Sequence, residues 1–266
     1  MNIKKTFKNY ILGLRLKKKF IKHNQSFFFK NYNNKDIVLV ELNNLCDIHI
    51  LYSYLSNVLA VKFKAKIIGY NSKYFPSLKN FLIFIIKRFL NLGYFSVYKS
   101  FNTSEFFSPQ KKKIDKSKIT KIFQNIKNKE DLMQVEISSI KIGDLLYDGY
   151  LRKFNLPTIN IKDKKLIKFA HEFFSLFNFW ENYLTVNSVK AVIVGDTAYE
   201  YGIISRISIS KNIPTYIGAP TRLHSLNKDN SNIFEMKNYR QEFEIYNEKE
   251  KNIKIDIAKK LVKKSF

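Results

Sequence analysis

Short runs of consecutive aliphatic and β-branched residues alternate along this chain with longer stretches whose apolar positions recur every three or four residues. The first run, residues 36–42 (Asp-Ile-Val-Leu-Val-Glu-Leu), has the continuous apolar character of a strand covered on both faces, and Asn43 and Asn44 follow as turn and cap residues. Residues 47–63 place Ile48, Leu51, Tyr52, Leu55, Val58 and Leu59 at the helical period, which predicts a helix. Residues 65–70 read as a second strand, Pro76 opens a helix to about residue 92, and residues 94–98 are the expected third strand. The polar, basic stretch 103–118, with Pro109 and Lys111-Lys112-Lys113, predicts a mobile surface loop. Helical spacing resumes at about Ile119. Asp163 then caps a long amphipathic helix running through Leu166, Phe169, Phe173, Phe177 and Trp180 to Leu184, with Trp180 in the core. Residues 190–195 form the clearest strand, 197–211 the helix after it, and 214–218 one more strand.

Strand, helix, strand, helix in this order is the pattern of an α/β domain, Rossmann-like and doubly wound, with a mostly parallel sheet flanked by helices and right-handed crossovers. Three segments follow: a basic amphipathic stretch over 1–30, the Rossmann-like domain over 31–226, and a polar segment over 227–266 that ends in a helix at about 253–264. In the first, Ile3, Phe7, Tyr10, Ile11 and Leu14 share a helical face among lysines, so it reads either as a helix packed on the domain or as one that meets an anionic membrane or a partner. The most apolar run, 81–90, is interrupted by Lys87 and Arg88 and falls short of the ~20 residues that span a bilayer.

Composition changes this picture in two ways. Hydrophobic residues make up 45% and aromatic ones 15%, enough for a sizeable core, while 47 Lys and Arg against 22 Asp and Glu leave a formal net charge of +25. Such a charge attracts phosphate in nucleotides, lipid headgroups or nucleic acid; equally, a chain rich in Lys, Asn, Ile and Phe and poor in Ala and Gly carries its charge as a compositional bias. A specific nucleic-acid module is not expected, because the aromatic residues sit at core spacing rather than on a binding face. The single cysteine, Cys46, excludes an internal disulfide and fits a reducing, cytoplasmic setting, and the basic N-terminus lacks the apolar core of a signal peptide.

Chemistry in an open α/β sheet belongs at the carboxyl ends of the strands. Those ends are marked by Glu41, Asn43 and Asn44; by Tyr70 and Asn71; by Gly195, Asp196 and Tyr199; and by Gly218 with Arg222 and His224 beyond it. Asp196 stands where a helix N-terminus is expected, either as a reactive acid beside free backbone N–H groups or as a plain N-cap. In residues 141–152, Asp144, Asp148 and Arg152 recur at i, i+4 and i+8, a polar column on one helical face or simple ion pairing on a solvated one. Gly149 inside that helix implies close approach by another group. Glycine-rich dinucleotide and phosphate loops and a His-Glu-x-x-His zinc motif are absent, and His23, His49, His171 and His224 lack ligand spacing, so no metal site is expected.

Two stretches carry a resemblance. Glu130-Asp-Leu with residues 140–152 (Ile-Lys-Ile-Gly-Asp-Leu-Leu-Tyr-Asp-Gly-Tyr-Leu-Arg), and residues 192–206 (Val-Ile-Val-Gly-Asp-Thr-Ala-Tyr-Glu-Tyr-Gly-Ile-Ile-Ser-Arg), resemble the N-terminal region of capsule and surface polysaccharide biosynthesis proteins, as does Tyr98-Lys-Ser-Phe101. The likeness spans about residues 36–218. It is specific at the two motifs and loose between them. Such proteins are similar to GT-B glycosyltransferases, whose first Rossmann-like domain contacts the acceptor and whose second holds most of the nucleotide sugar. The resemblance implies that Asp144, Tyr147, Asp148 and Arg152 match the first motif and Tyr199, Gly202 and Arg206 the second. Where some relatives carry a His near Asp196, this chain has the acid, which implies that Asp196 is the base deprotonating an acceptor hydroxyl. The expected function is therefore the acceptor-binding half of a glycosyltransferase-like protein at the inner membrane face. It would take a glycan or lipid-linked acceptor through the strand-end polar residues named above, without a cofactor of its own. The family continues into a second domain about where this sequence ends, so the nucleotide-sugar half is expected in another domain or chain. The alternative is a non-catalytic basic module docking on anionic membrane or on the polysaccharide machinery.

Overall fold

The structure is a computed structural model that describes residues 3–28, 35–72, 74, 77–110, 116–219 and 222–233, and a few isolated positions beyond. A six-stranded sheet runs β1 (Ile37–Glu41), β2 (Lys66–Tyr70), β3 (Thr103–Phe107), β6 (Val189–Val194), β7 (Thr215–Ala219) and β8 (Arg222–Leu226) in chain order, and β3-β2-β1-β6-β7-β8 in space. All pairs are parallel except β7 with β8. Between β3 and β6 lies a two-stranded hairpin, β4 (Glu136–Ile137) and β5 (Ile140–Lys141), turned by Ser138 and Ser139 at φ 51° and 61°.

Alternation along the strands builds a three-layer domain. Ile37, Leu39, Ile68, Tyr70, Val192 and Val194 face one core, which is closed by α5 (Lys116–Gln124), α6 (Lys129–Met133), α7 (Gly143–Phe154), α8 (Lys164–Val186) and α9 (Ile203–Ser210). Val38, Val40, Leu42, Ile67 and Ile193 face the other, which is closed by α2 (Asp47–Phe63), α3 (Leu78–Phe89) and α4 (Tyr94–Ser100). The chain winds outward from β1 through β2 to β3 on one side, then crosses to β6 and winds the other way. Strand order therefore reverses between β1 and β6.

The first helix, α1 (Ile3–Phe28), lies on the second core: Asn24 donates to the Ser100 hydroxyl at 3.1 Å, and the rings of Phe20 and Phe28 sit 5.8 and 5.2 Å from Phe101. Asp163 caps α8 as expected, accepting from the Lys165 N–H at 2.8 Å, and Trp180 is wholly buried.

Four expectations are corrected. Residues 94–98 are helical rather than the third strand, because Gly93, at φ 65°, ends the preceding turn and Phe95, Tyr98 and Phe101 then bury at helical spacing. The third strand is Thr103–Phe107, inside the expected loop; its polar residues Ser104 and Glu105 sit on the solvent side of an edge strand. The helix expected over 197–211 begins only at Ile203, after a 3-10 turn at Tyr199–Gly202 in which Tyr199 is left-handed at φ 55°. The antiparallel strand β8 was not foreseen. Of the C-terminal helix expected at 253–264, Ile253, Ile255, Ile257 and Lys259 are described, and all four are helical and exposed; the Lys111–Lys113 run lies outside the described residues.

Candidate functional site

Strand order reverses between β1 and β6, the place at which open α/β sheets form their ligand crevice. There sits Glu41, the last residue of β1 and only 3% exposed. Its Oε2 accepts from the Gly195 N–H at 2.8 Å, and its Oε1 accepts from the Asn43 amide at 2.9 Å and the Ser72 hydroxyl at 3.0 Å. One carboxylate thus ties the ends of β1 and β6 to the loop after β2. Gly195 is required there, since a Cβ would lie 2.9 Å from the Glu41 carboxyl carbon.

The loop after β1 is fixed from behind. The Asn44 carbonyl accepts from the Tyr98 hydroxyl at 2.6 Å and from His49 Nδ1 at 2.9 Å; the partner being a carbonyl, the ring donates from Nδ1. The side chains of Asn43 and Asn44 remain exposed. Burial lowers the His49 pKa below its ordinary value. Burial also pushes the Tyr52 hydroxyl up to about 12, helped by the charges of Glu41 and Asp196, so Tyr52 stays a neutral donor, bonded to the Gly218 carbonyl at 3.0 Å.

Asp196 follows Gly195 at the rim, half-buried. Its Oδ1 accepts from the Ala198 N–H at 2.9 Å, a local turn that aims the carboxylate, and Oδ2 makes no hydrogen bond among the described residues. Because α9 starts at Ile203, Asp196 does not sit at its N-terminus, which corrects the expected helix-end anion site. Thr197, fully buried, donates to the Asn232 side chain at 3.1 Å and accepts from the Ile233 N–H at 3.3 Å, so the segment after β8 returns to the end of β6.

No family model, curated protein or solved structure matches the chain.

The two motifs of the resemblance pack on each other. α7 lies against the 3-10 turn and α8, with Gly149 admitting the Phe169 ring and the Glu200 carboxylate at 3.1 and 3.2 Å from where a Cβ would stand, and it reaches α9 through a side-chain ion pair. Arg206 donates to Asp144 at 2.6 Å, the two side chains 11% and 16% exposed, and its second terminal nitrogen lies 3.4 Å from the Lys141 carbonyl. The Arg152 guanidinium covers the Tyr199 ring at 4.4 Å and that of Tyr201 at 5.3 Å. Tyr147 is buried, with Lys129 over its ring at 4.7 Å, and Asp148 is exposed.

The polar column therefore divides. Arg152 stacks at the Tyr199 end, next to the strand-end turn, whereas Asp144 stands ~12 Å further along α7 and is engaged by Arg206. Arg222, exposed at the start of β8, shares the carboxyl edge but lies three strand spacings, ~14 Å, from β1. Glu41, Asp144 and Arg206 hold the framework; Asn43, Asn44 and Asp196 stand at the ends of β1 and β6, and Tyr199, three residues past Asp196, is covered by Arg152. Ser72 was missed, and Tyr98 and Thr197, although inside stretches that carry the resemblance, were given no role, because nothing local in the sequence shows which distant backbone or side chain a hydroxyl will bond. Among the described residues no group of three His, Cys, Asp or Glu side chains is arranged to hold a metal ion.

Proposed function

We propose that this domain is the acceptor-binding half of a glycosyltransferase-like protein of surface polysaccharide biosynthesis, with the nucleotide sugar held by a second Rossmann-like domain or chain. The observation that carries the reading is the polar cluster at the reversal of strand order. Both strand ends are pinned by the buried Glu41, and beside them stand the exposed residues Asn43, whose amide nitrogen is turned to Glu41, and Asn44, with the half-engaged carboxylate of Asp196. Amides and a carboxylate are the groups that hydrogen-bond sugar hydroxyls. A carboxylate with one oxygen held and the other open can also take a proton from a hydroxyl as it attacks a glycosyl carbon. The interlocking of the two motif stretches supports the same reading, since it gives the residues that carry the resemblance a common structural reason.

Saturation-transfer NMR on the full chain tests this. Oligosaccharide fragments of bacterial surface polymers should receive magnetisation, while UDP- and GDP-sugars should not. Asp196→Ala should weaken glycan binding at least about tenfold, the worth of one charge-assisted hydrogen bond. Nucleotide sugars binding at this cluster, or glycan binding indifferent to Asp196→Ala and Asn43→Ala alike, would overturn the assignment.

A further inference from the structure

Helix α3 has an apolar face where a surface helix is normally polar. Its inner side reaches the core through Phe84, and Arg88 is tied to the Phe106 carbonyl at 2.7 Å. The opposite side carries Leu78, Leu82, Ile86 and Phe89, which are 73%, 51%, 54% and 83% exposed. These four recur at i, i+4, i+8 and i+11 and so form one continuous stripe, which Leu90 and Leu92 extend into the turn before α4. Single exposed leucines need no explanation, but a contiguous stripe marks an interaction surface.

The charge around the stripe has one sign. Lys79 and Lys87 are exposed on α3 itself. Lys17 of α1 donates to the Gly93 carbonyl at 2.8 Å, which brings Arg15, Lys18 and Lys19 of that helix to the α3–α4 turn, with Leu12 and Leu16 exposed beside them. Residues 1–35 and 48–104 contain no Asp or Glu at all. A second copy of a chain with net charge +25 would bring the same lysines against these, so charge complementarity selects an anionic occupant.

We propose that this face docks on the anionic surface of a phospholipid bilayer, with α3 lying in the interfacial plane, its leucines and Phe89 among the acyl chains and the lysines of α1 and α3 at the headgroups. Alone, α3 is too short to span: twelve residues reach ~18 Å against a hydrocarbon core of ~30 Å. The following helix α4, bent by 44°, buries Phe95, Val97 and Tyr98 in the protein. Apolar insertion joined to a basic patch is the combination that gives stable peripheral attachment. The face is built from the β2–β3 crossover and α1, and the proposal does not rest on the acceptor reading.

The test uses the full chain and vesicles of phosphatidylcholine alone or with about 30% phosphatidylglycerol, enough to give the surface a negative potential. The only tryptophan, Trp180, is buried, so Phe89→Trp adds a surface reporter whose emission should shift to the blue with the anionic vesicles and be quenched by brominated acyl chains. In co-sedimentation the wild type should bind anionic vesicles in preference to neutral ones. Leu82→Gln with Phe89→Gln should lower the partition coefficient at least about tenfold, with circular dichroism and Tm retained because both side chains already face solvent. Unshifted emission from the Phe89→Trp variant, undiminished binding by the double variant, or a lipid-free dimer that the double variant dissociates would overturn the proposal.

Discussion

At the scale of single residues, His49 is the group whose protonation the fold resists most plainly. It is buried, donates to the Asn44 carbonyl, and packs 5.8 Å from the Tyr52 ring. Burial lowers its pKa in the folded chain, whereas the unfolded chain takes up the proton near the ordinary ~6.5. The unfolded state then binds more protons over the window from ~6.5 down to the lowered value. The stabilisation is complete above that ordinary pKa and is lost as pH falls through the window. His49→Asn keeps an N–H near the place of Nδ1 for the Asn44 carbonyl and removes the titration. Thermal melts between about pH 7.5 and 5, which bracket the ordinary histidine pKa, should show a shallower decline for the variant. Equal slopes would mean that His49 is protonated in the fold at no cost. The residue scale is also where the sequence was least legible. Glu41 stood out as a strand-end acid, but two of its three hydrogen bonds come from Gly195 and Ser72, 154 and 31 positions away, and no local pattern announces such partners.

At the scale of elements, the contact of α7 with the turn and helix after β6 holds the two motif stretches together. Its centre is the Asp144–Arg206 pair, mostly buried, with Asp144 Oδ1 and Arg206 Nε enclosed and without a hydrogen-bond partner among the described residues. Removing one member leaves a charge with poor access to water. Asp144→Asn or Arg206→Met should each cost about 2 kcal/mol in urea unfolding, less than the roughly 3–5 kcal/mol of a fully buried pair because some solvent reaches both. Asp144→Leu combined with Arg206→Met should recover most of that loss, and a double-mutant cycle reads the coupling directly. Additive losses would show that the pair contributes only packing. Gly149 illustrates what was legible here: a glycine inside a helical pattern implied a close neighbour, and the Phe169 ring with the Glu200 carboxylate fills that role. The spacing of Asp144, Asp148 and Arg152 was legible too, but their partners were not. A helix periodicity assigns residues to a face without saying which element covers it. Residues 94–107 misled for a related reason. Tyr-Phe-Ser-Val-Tyr satisfies a strand alternation and a helical period at once, while the strand that follows carries Ser and Glu on an exposed edge.

At the scale of the molecule, the doubly wound sheet followed from chain order, since each buried strand is a short run of β-branched residues and the long stretches between them keep a 3.6-residue period. The antiparallel β8 escaped because Arg-Leu-His-Ser-Leu alternates too weakly to stand out, being covered on one side only. What no fold argument contains is the charge. A chain of net charge +25 has far more like-charge than unlike-charge neighbours, and the ion pairs Lys66–Glu105 and Lys190–Asp36 are partly exposed and contribute little. Self-repulsion then works against the compact state, and it is strongest where screening is weakest. Raising NaCl from about 20 to 300 mM shortens the Debye length from roughly 20 Å to about 6 Å. Tm should therefore climb with salt, and sulfate, which also strengthens apolar burial, should raise it further. A Tm that falls with added NaCl would mean that the few ion pairs outweigh the repulsion. The basic excess would then have to be arranged so that its charges lie too far apart to act on one another, which the acid-free surface of α1 and α3 argues against.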